Sequence, residues 1–128
     1  MNCVVVTPET TVLDAKVEFV VVPLFDGETG IAPGHSPMIG RLGYGEMRLT
    51  TGYTVQSFYV DGGFVQVADD VVTVLTSRSI PAVDVDEKAA QVQLDEAVAQ
   101  KAGNLELMEI RQRAIDQARG QLRVAARR

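Results

Sequence analysis

Residues 71–101 read VVTVLTSRSIPAVDVDEKAAQVQLDEAVAQK, and the fold class turns on the change in the middle of them. Before Pro81, Val71, Thr73 and Leu75 alternate with Val72, Val74 and Thr76. That run is β-branched and apolar on both sides, so it predicts a buried strand. After Pro81 the chain is built from Ala, Gln, Glu, Leu and Arg, all strong helix formers. All five prolines, all seven aromatics and nine of the eleven glycines lie at or before this proline. The break divides the chain into residues 1–81 and residues 82–128.

Toward the N-terminus the pattern continues as short strands. Val17, Phe19 and Val21 alternate with Lys16, Glu18 and Val20, a period of two. Turn signals recur at Asp26-Gly27, Gly43-Tyr44-Gly45, Thr51-Gly52, Asp61-Gly62-Gly63 and Asp69-Asp70. Short strands at that spacing, with no helix between them, imply an antiparallel sandwich or barrel rather than a parallel α/β sheet. Toward the C-terminus the pattern becomes helical. A first helix is expected over roughly 84–101, capped by Asp84 or Asp86, with Ala90, Leu94, Ala97 and Val98 on one face. Gly103-Asn104 reads as a tight turn. A second helix follows over roughly 105–126, with Met108, Ile115, Ala118, Leu122 and Ala125 as its apolar stripe. Two amphipathic helices on a short connection form an antiparallel hairpin. The fold expected is therefore an N-terminal antiparallel β-sandwich followed by a C-terminal two-helix hairpin.

Bulk properties narrow the function. The chain has 128 residues, 46% apolar and 23% charged, which suits one folded unit or one small domain with an appendage. A net charge of −5 argues against nucleic acid as the partner. The single cysteine, Cys3, excludes an internal disulfide and fits a reducing compartment. Met1-Asn2-Cys3 runs into a valine-rich segment without a basic leader region, so no signal peptide is expected. Charge is unevenly divided between the helices. The first carries Asp84, Asp86, Glu87, Asp95 and Glu96 against Lys88 and Lys101. The second carries Arg111, Arg113, Arg119, Arg123, Arg127 and Arg128 against Glu106, Glu109 and Asp116. Arg119, Arg123 and Arg127 are spaced i, i+4 and i+8 and form one ridge. The plain reading is a solvated face paired with the acidic first helix; the sharper one is a docking ridge for an acidic partner.

Residues 27–49, GETGIAPGHSPMIGRLGYGEMRL, hold more than half of the glycines and the only histidine. They look at first like a catalytic loop. Yet His35 has no partner that would make it a base, and Pro33 and Pro37 on either side of His35-Ser36 describe a stiff turn. Its ring is expected to bond a neighbouring backbone group. One His and one Cys give no metal-ligand cluster, Asp69-Asp70 lacks a calcium-loop pattern, and the glycines spell neither a P-loop nor a dinucleotide fingerprint. Catalytic residues, metal and cofactor are all expected to be absent.

The same segment resembles the signature of the epsilon subunit of F-type ATP synthase. Its G-x-x-G-I-x-P-G-H-x-P core is matched by Gly27, Gly30, Ile31, Pro33, Gly34, His35 and Pro37. The G-x-[MV]-R-[LIV] element is matched by Gly45, Met47, Arg48 and Leu49. Asp61-Gly62-Gly63-Phe64 with Val65 and Val67 resembles the family's next hairpin, and Val71–Thr76 its next strand. The similarity runs on to Gln121-Leu122-Arg123-Val124-Ala125. The resemblance implies a non-catalytic rotor subunit of the central stalk, coupling proton-driven rotation to ATP synthesis. Its sandwich (1–81) would bind the gamma subunit and the c-ring, with Gly34, His35, Ser36 and Pro37 as the contact. Its hairpin (82–128) would be regulatory and restrain ATP hydrolysis. Arg111, Arg113, Arg119, Arg123 and Arg127 would face acidic residues of the alpha and beta subunits. It implies a peripheral place on the cytoplasmic face of a bacterial inner membrane, since the short start favours a bacterium over an imported protein. Some relatives bind ATP through an [IL]-D-x-x-R-A motif. Here Asp86 and Ala90 fit, but Ala89 replaces the arginine, and Gln117 and Gln121 stand where nucleotide-binding relatives carry arginines. Weak or no ATP binding is expected. The alternative is a free-standing nucleotide-sensing or small-ligand module on the same fold.

Overall fold

The computed structural model describes residues 1–128. Eight strands, β1 (Asn2–Val6), β2 (Thr11–Lys16), β3 (Phe19–Leu24), β4 (Gly27–Ile31), β5 (Met38–Thr51), β6 (Thr54–Ala68), β7 (Val71–Leu75) and β8 (Ser79–Pro81), precede a 3-10 turn (Ala82–Asp84) and helices α1 (Glu87–Ala99) and α2 (Leu105–Arg127). The strands follow the order β2-β1-β7-β6-β5-β3-β4, with β8 on the first half of β6. Neighbours are antiparallel except β1 and β7, which run parallel. The sandwich and the helical pair match the architecture expected from the sequence.

β5 and β6 form the long ribbon that makes two layers out of one hydrogen-bonded sheet. They turn at Gly52-Tyr53 and stay in register from Thr51↔Thr54 to Met38↔Val67, except at Gly43 and Gly62, which are skipped. The ribbon bends at this double irregularity. Beyond it, β6 pairs with β7; before it, β6 pairs with β8. Cys3, Val5, Val65, Val67, Val72 and Val74 of one layer meet Val20, Val22, Ile31, Met47, Leu49 and Val60 of the other in one continuous core. Each such fully buried aliphatic side chain stabilises by roughly 1.5–3 kcal/mol.

Several expectations are corrected. Gly43-Tyr44-Gly45 and Asp61-Gly62-Gly63 are not chain reversals but lie inside β5 and β6. Their glycines serve a bend: Gly63 has φ +106°, and a Cβ there would run into the Leu75 carbonyl. The single strand expected over 16–21 is two strands. Val17 and Glu18 step from β2 into β3, their amides donating to the Met1 and Thr50 carbonyls. That step shifts the alternation, so Val20 and Val22 point inward while Phe19 is exposed. The turns at Asp26-Gly27, Thr51-Gly52 and Asp69-Asp70 form as expected, the last with both aspartates at positive φ. β7 is half as buried as its apolar run suggests: Val72 and Val74 are in the core, and Leu75 faces outward.

The helices also differ in detail. Asp86, not Asp84, caps α1, its Oδ1 accepting from the Ala89 amide at 3.0 Å. Asn104 caps α2 in the same way at 2.8 Å. Residues 100–104 connect the helices as an irregular segment, longer than a tight turn at Gly103. α2 buries Ile115, Ala118, Gly120, Gln121, Val124 and Ala125. Met108, expected on the inward face of α2, is exposed because that helix buries residues only from Ile115 onward, and Val98, expected on the inward face of α1, is exposed near that helix's end. There Val124 and Ala125 pack with Tyr59, Ala82 and Val85 in a second, smaller core.

Candidate functional surfaces

The loop after β4 carries the first expected contact. Gly34, Ser36 and Pro37 are exposed and His35 is half-buried. The His35 amide donates to the Ala32 carbonyl at 3.1 Å, closing the turn. The ring Nδ1 lies 2.7 Å from the Ser36 carbonyl oxygen, as a donating Nδ1–H does. His35 is thus a turn residue bonded to its own loop. The Gly34 amide donates to Asp70 Oδ1 at 2.9 Å, and Asp70 Oδ2 lies 3.8 Å from the chain's amino terminus. The loop, the β6–β7 turn and the N-terminus therefore share one end of the sandwich.

The arginines of α2 divide into three groups. Arg113 and Arg119 project into solvent. Arg111 is half-buried and donates to the Val98 carbonyl at 3.1 Å, tying α2 to α1. Arg123 donates to the Tyr44 carbonyl at 3.1 Å, and Arg127 lies 3.6 Å from Glu46. Glu46 also pairs with Arg48 at 2.8 Å, and that hydrogen bond above all holds Arg48 charged beyond its ordinary range. The ridge of Arg119, Arg123 and Arg127 borders an open cleft of about 450 Å³, closed on the other side by Phe25, Gly43 and Glu46. No ion pair joins α1 to α2, so the expected pairing of acidic and basic helices does not form. Neutral bonds replace it: Gln93 donates to the Ala114 carbonyl at 2.9 Å and to Gln117 Oε1 at 3.3 Å.

Beneath α2 is a polar cluster at residues whose local sequence reads only as a turn. Asp61 is 8% exposed. Its Oδ1 accepts from Tyr59 Oη at 2.7 Å, and its Oδ2 accepts from Ser77 Oγ at 3.1 Å and Gln117 Nε2 at 3.3 Å. Arg78 Nε is 3.7 Å away. Burial, reinforced by the bond to Asp61, raises the Tyr59 pKa well above its ordinary value, so Tyr59 stays a donor. In a strand Tyr59 and Asp61 share a face, but which face α2 covers is decided by residues far along the chain, so the local sequence carries no sign of this site. Arg128 is a second residue that the sequence reading leaves without a role. Its Nη1 donates to the carbonyls of Ala82, Val83 and Val85, fastening the end of α2 to the segment that leads into α1.

The degenerate nucleotide motif is held by structural duties. The Asp86 carboxylate caps α1 and Ala90 is buried. Gln117 and Gln121 face inward, and Gln117 meets the Asp61 carboxylate there rather than a cation. No three His, Cys, Asp or Glu side chains come together as a metal site, and no helix is long and apolar enough to cross a membrane.

Residues 1–82 match the family model for the β-sandwich domain of the ATP synthase delta/epsilon chain. Over 125 residues, 98% of each chain, the protein is 50% identical to the ATP synthase epsilon chain of Rhodopirellula baltica. The chain belongs to the ATP synthase epsilon-chain family. It is 37% identical to the Synechococcus epsilon chain, over 95% of this chain and 89% of that one. The fold is shared with a chain in the mitochondrial ATP synthase of Euglena gracilis, with a TM-score of 0.83 at 21% identity, covering 98% of this chain and 80% of that one. A chain of the Tetrahymena thermophila central stalk and c-ring gives 0.72 at 14% identity, covering 98% and 96%. Members of this family are subunits of the ATP synthase complex that do not themselves carry its catalytic site.

Proposed function

We propose that this chain works in the central stalk of an ATP synthase, as a rotor subunit that helps couple proton-driven rotation to ATP synthesis and restrains ATP hydrolysis through its helices. The observation that carries this reading is the match to an epsilon chain over almost the full length, helices included. The unit 1–81 is the part that seats on the gamma subunit and c-ring, and the exposed loop Gly34–Pro37 is its rotor contact. The unit 82–128 is the regulatory part, and Arg111, Arg113, Arg119, Arg123 and Arg127 are its cations for acidic alpha and beta surfaces. The hairpin has two placements: packed on the sandwich, as described above, and extended toward the catalytic subunits. Two of these cations, Arg123 and Arg127, are engaged by the sandwich in the packed placement, which supports a role that begins when α2 lifts. The complex holds the subunit at the cytoplasmic face of a bacterial inner membrane.

The test is reconstitution with the cognate complex. The wild-type chain should co-purify with the gamma subunit and lower ATP hydrolysis. Replacing the five arginines by alanine should keep co-purification and relieve most of the inhibition. Equal inhibition by both chains would overturn the regulatory reading, and failure of the wild-type chain to retain gamma would overturn the stalk reading. The nucleotide-module alternative has no observation in its favour: Asp61 beneath Gln117 presents a negative charge where a phosphate needs a positive one.

A further inference from the structure

The seam between α2 and the sandwich is held by two kinds of polar contact. At its rim, Arg123 reaches the Tyr44 carbonyl and Arg127 reaches Glu46. These are exposed arginines whose bonds water replaces when the helix lifts. At its centre, Gln117 Nε2 donates to the buried Asp61 carboxylate. The same side chain accepts from Gln93 of α1 through its Oε1. One amide thus joins three elements in a line: β6, α2 and α1. One turn further along α2, Gln121 is 6% exposed, and its Nε2 has no hydrogen-bond partner. It lies near enough to the Tyr59 hydroxyl to act slightly against the rise in that group's pKa, but without the geometry of a hydrogen bond. A buried donor without an acceptor favours any state in which water reaches it.

We propose that Gln117 and Gln121 form an opposed pair that sets how readily the hairpin leaves the sandwich: Gln117 latches it to Asp61, and Gln121, lacking a partner, pushes it off. Gln117 also keeps α1 on α2, so the hairpin departs as one body. A carboxylate acceptor makes the latch stronger than a bond between neutral groups, and Tyr59 and Ser77 stay on Asp61 after Gln117 has gone, so the sandwich keeps its own structure. This inference rests on the two-placement reading of the hairpin but is read in the isolated chain, without any partner.

The experiment uses two thiols in the full chain. Val124 is 1% exposed and packs in the seam with Tyr59, so the thiol introduced by Val124→Cys reports lifting of α2. The native Cys3 is fully buried in the sandwich core and reports opening of the sandwich. In the Val124→Cys chain, Gln117→Leu should raise the labelling rate of the seam thiol by roughly tenfold or more and leave Cys3 labelling unchanged. Gln121→Met, which removes the unpaired donor at similar size, should lower the seam rate. Asp61→Asn together with Gln117→Glu exchanges acceptor and donor and should return the rate toward the parent, whereas Gln117→Glu alone should raise it most. The proposal is overturned if labelling of the seam thiol is indifferent to Gln117, if Gln121→Met speeds it, or if both thiols become reactive together. Should Val124→Cys itself undock the helix, the same series is read with Ala125→Cys in the same small core. A latch that fails this test while the arginine variants still lose inhibition would leave the stalk function standing.

Discussion

Gly120 shows how a single missing methyl sets the helix on the sandwich. A Cβ at this position would lie 2.7 Å from the Tyr44 carbonyl oxygen and 3.0 Å from its carbon, backbone atoms that do not step aside. In an open helix, Gly→Ala stabilises by about 1 kcal/mol. Here the sign should reverse: Gly120→Ala should weaken docking by about 1–3 kcal/mol, seen as a lower first transition in thermal unfolding monitored at Tyr59. A rise in that transition would place α2 further from β5 than described above. Cys3 gives a second outcome at this scale. Burial raises its thiol from 9.0 to about 12, so the folded state keeps a proton that the unfolded chain releases. Stability is therefore intact below pH 9 and is lost as pH rises through the window from 9 to about 12. The expected loss is on the order of 1.4 kcal/mol per pH unit from this group. Denaturant midpoints at pH 8 and 10 check it, and Cys3→Ala should flatten the difference. The same residues show what sequence can tell. His35 is legible as a turn histidine from its flanking prolines alone. Asp61 is not, because its meaning comes from Gln117, 56 positions away, and no local pattern carries that pairing.

The elements differ in what holds them. α1 has 13 residues and buries only Ala90 and Ala97, a length at which isolated helices are marginal in water. α2 rests on the sandwich from Ile115 onward, while its first half exposes Leu105, Met108 and Ile110. β5 and β6 are paired along nearly their whole length and bury residues on both layers. Native-state hydrogen exchange should follow this order. Amides of 87–99 and 105–114 should exchange fastest, those of 115–125 should be intermediate, and the centre of the β5–β6 ribbon should be slowest. Equal protection across α1 and β6 would contradict it. The helical pattern is easy to read because it depends on local propensity and spacing. The bends in β5 and β6 read as turns because glycines that reverse a chain and glycines that let it fold over look the same in one dimension.

The whole molecule is a sandwich carrying a smaller, separable seam. Fourteen residues form the main core and five form the seam core, so losing the second need not cost the first. The seam also bears on nucleotides, because the carboxylate of Asp61 and the amides of Gln117 and Gln121 occupy the space between the units. Titrating the isolated chain with Mg-ATP in a calorimeter should give no saturable heat in the micromolar range, and its thermal midpoint should not rise. A micromolar dissociation constant would show that the missing arginines are replaced by cations from elsewhere in the chain. At this scale the division into a strand-rich unit and a helical unit is legible in the change of residues at Pro81. The placement of the hairpin is not, since it is decided by the close approach of Gly120 to Tyr44 and by bonds between residues far apart in the chain.

The parallel pairing of β1 with β7 has a consequence for how the chain is made. Val4 lies beside Thr73, and Cys3 beside Val72, so the first strand finds its partner only after the seventh has been synthesised. Until then Cys3 and Val5 have one neighbouring strand, β2, and the core that they complete lacks Val72 and Val74. Closing so long a loop is the slow kind of step in folding, and on the ribosome it waits for most of the sandwich to emerge. The amino terminus, first out, is locked in late, and the helices that follow have a finished surface to dock on.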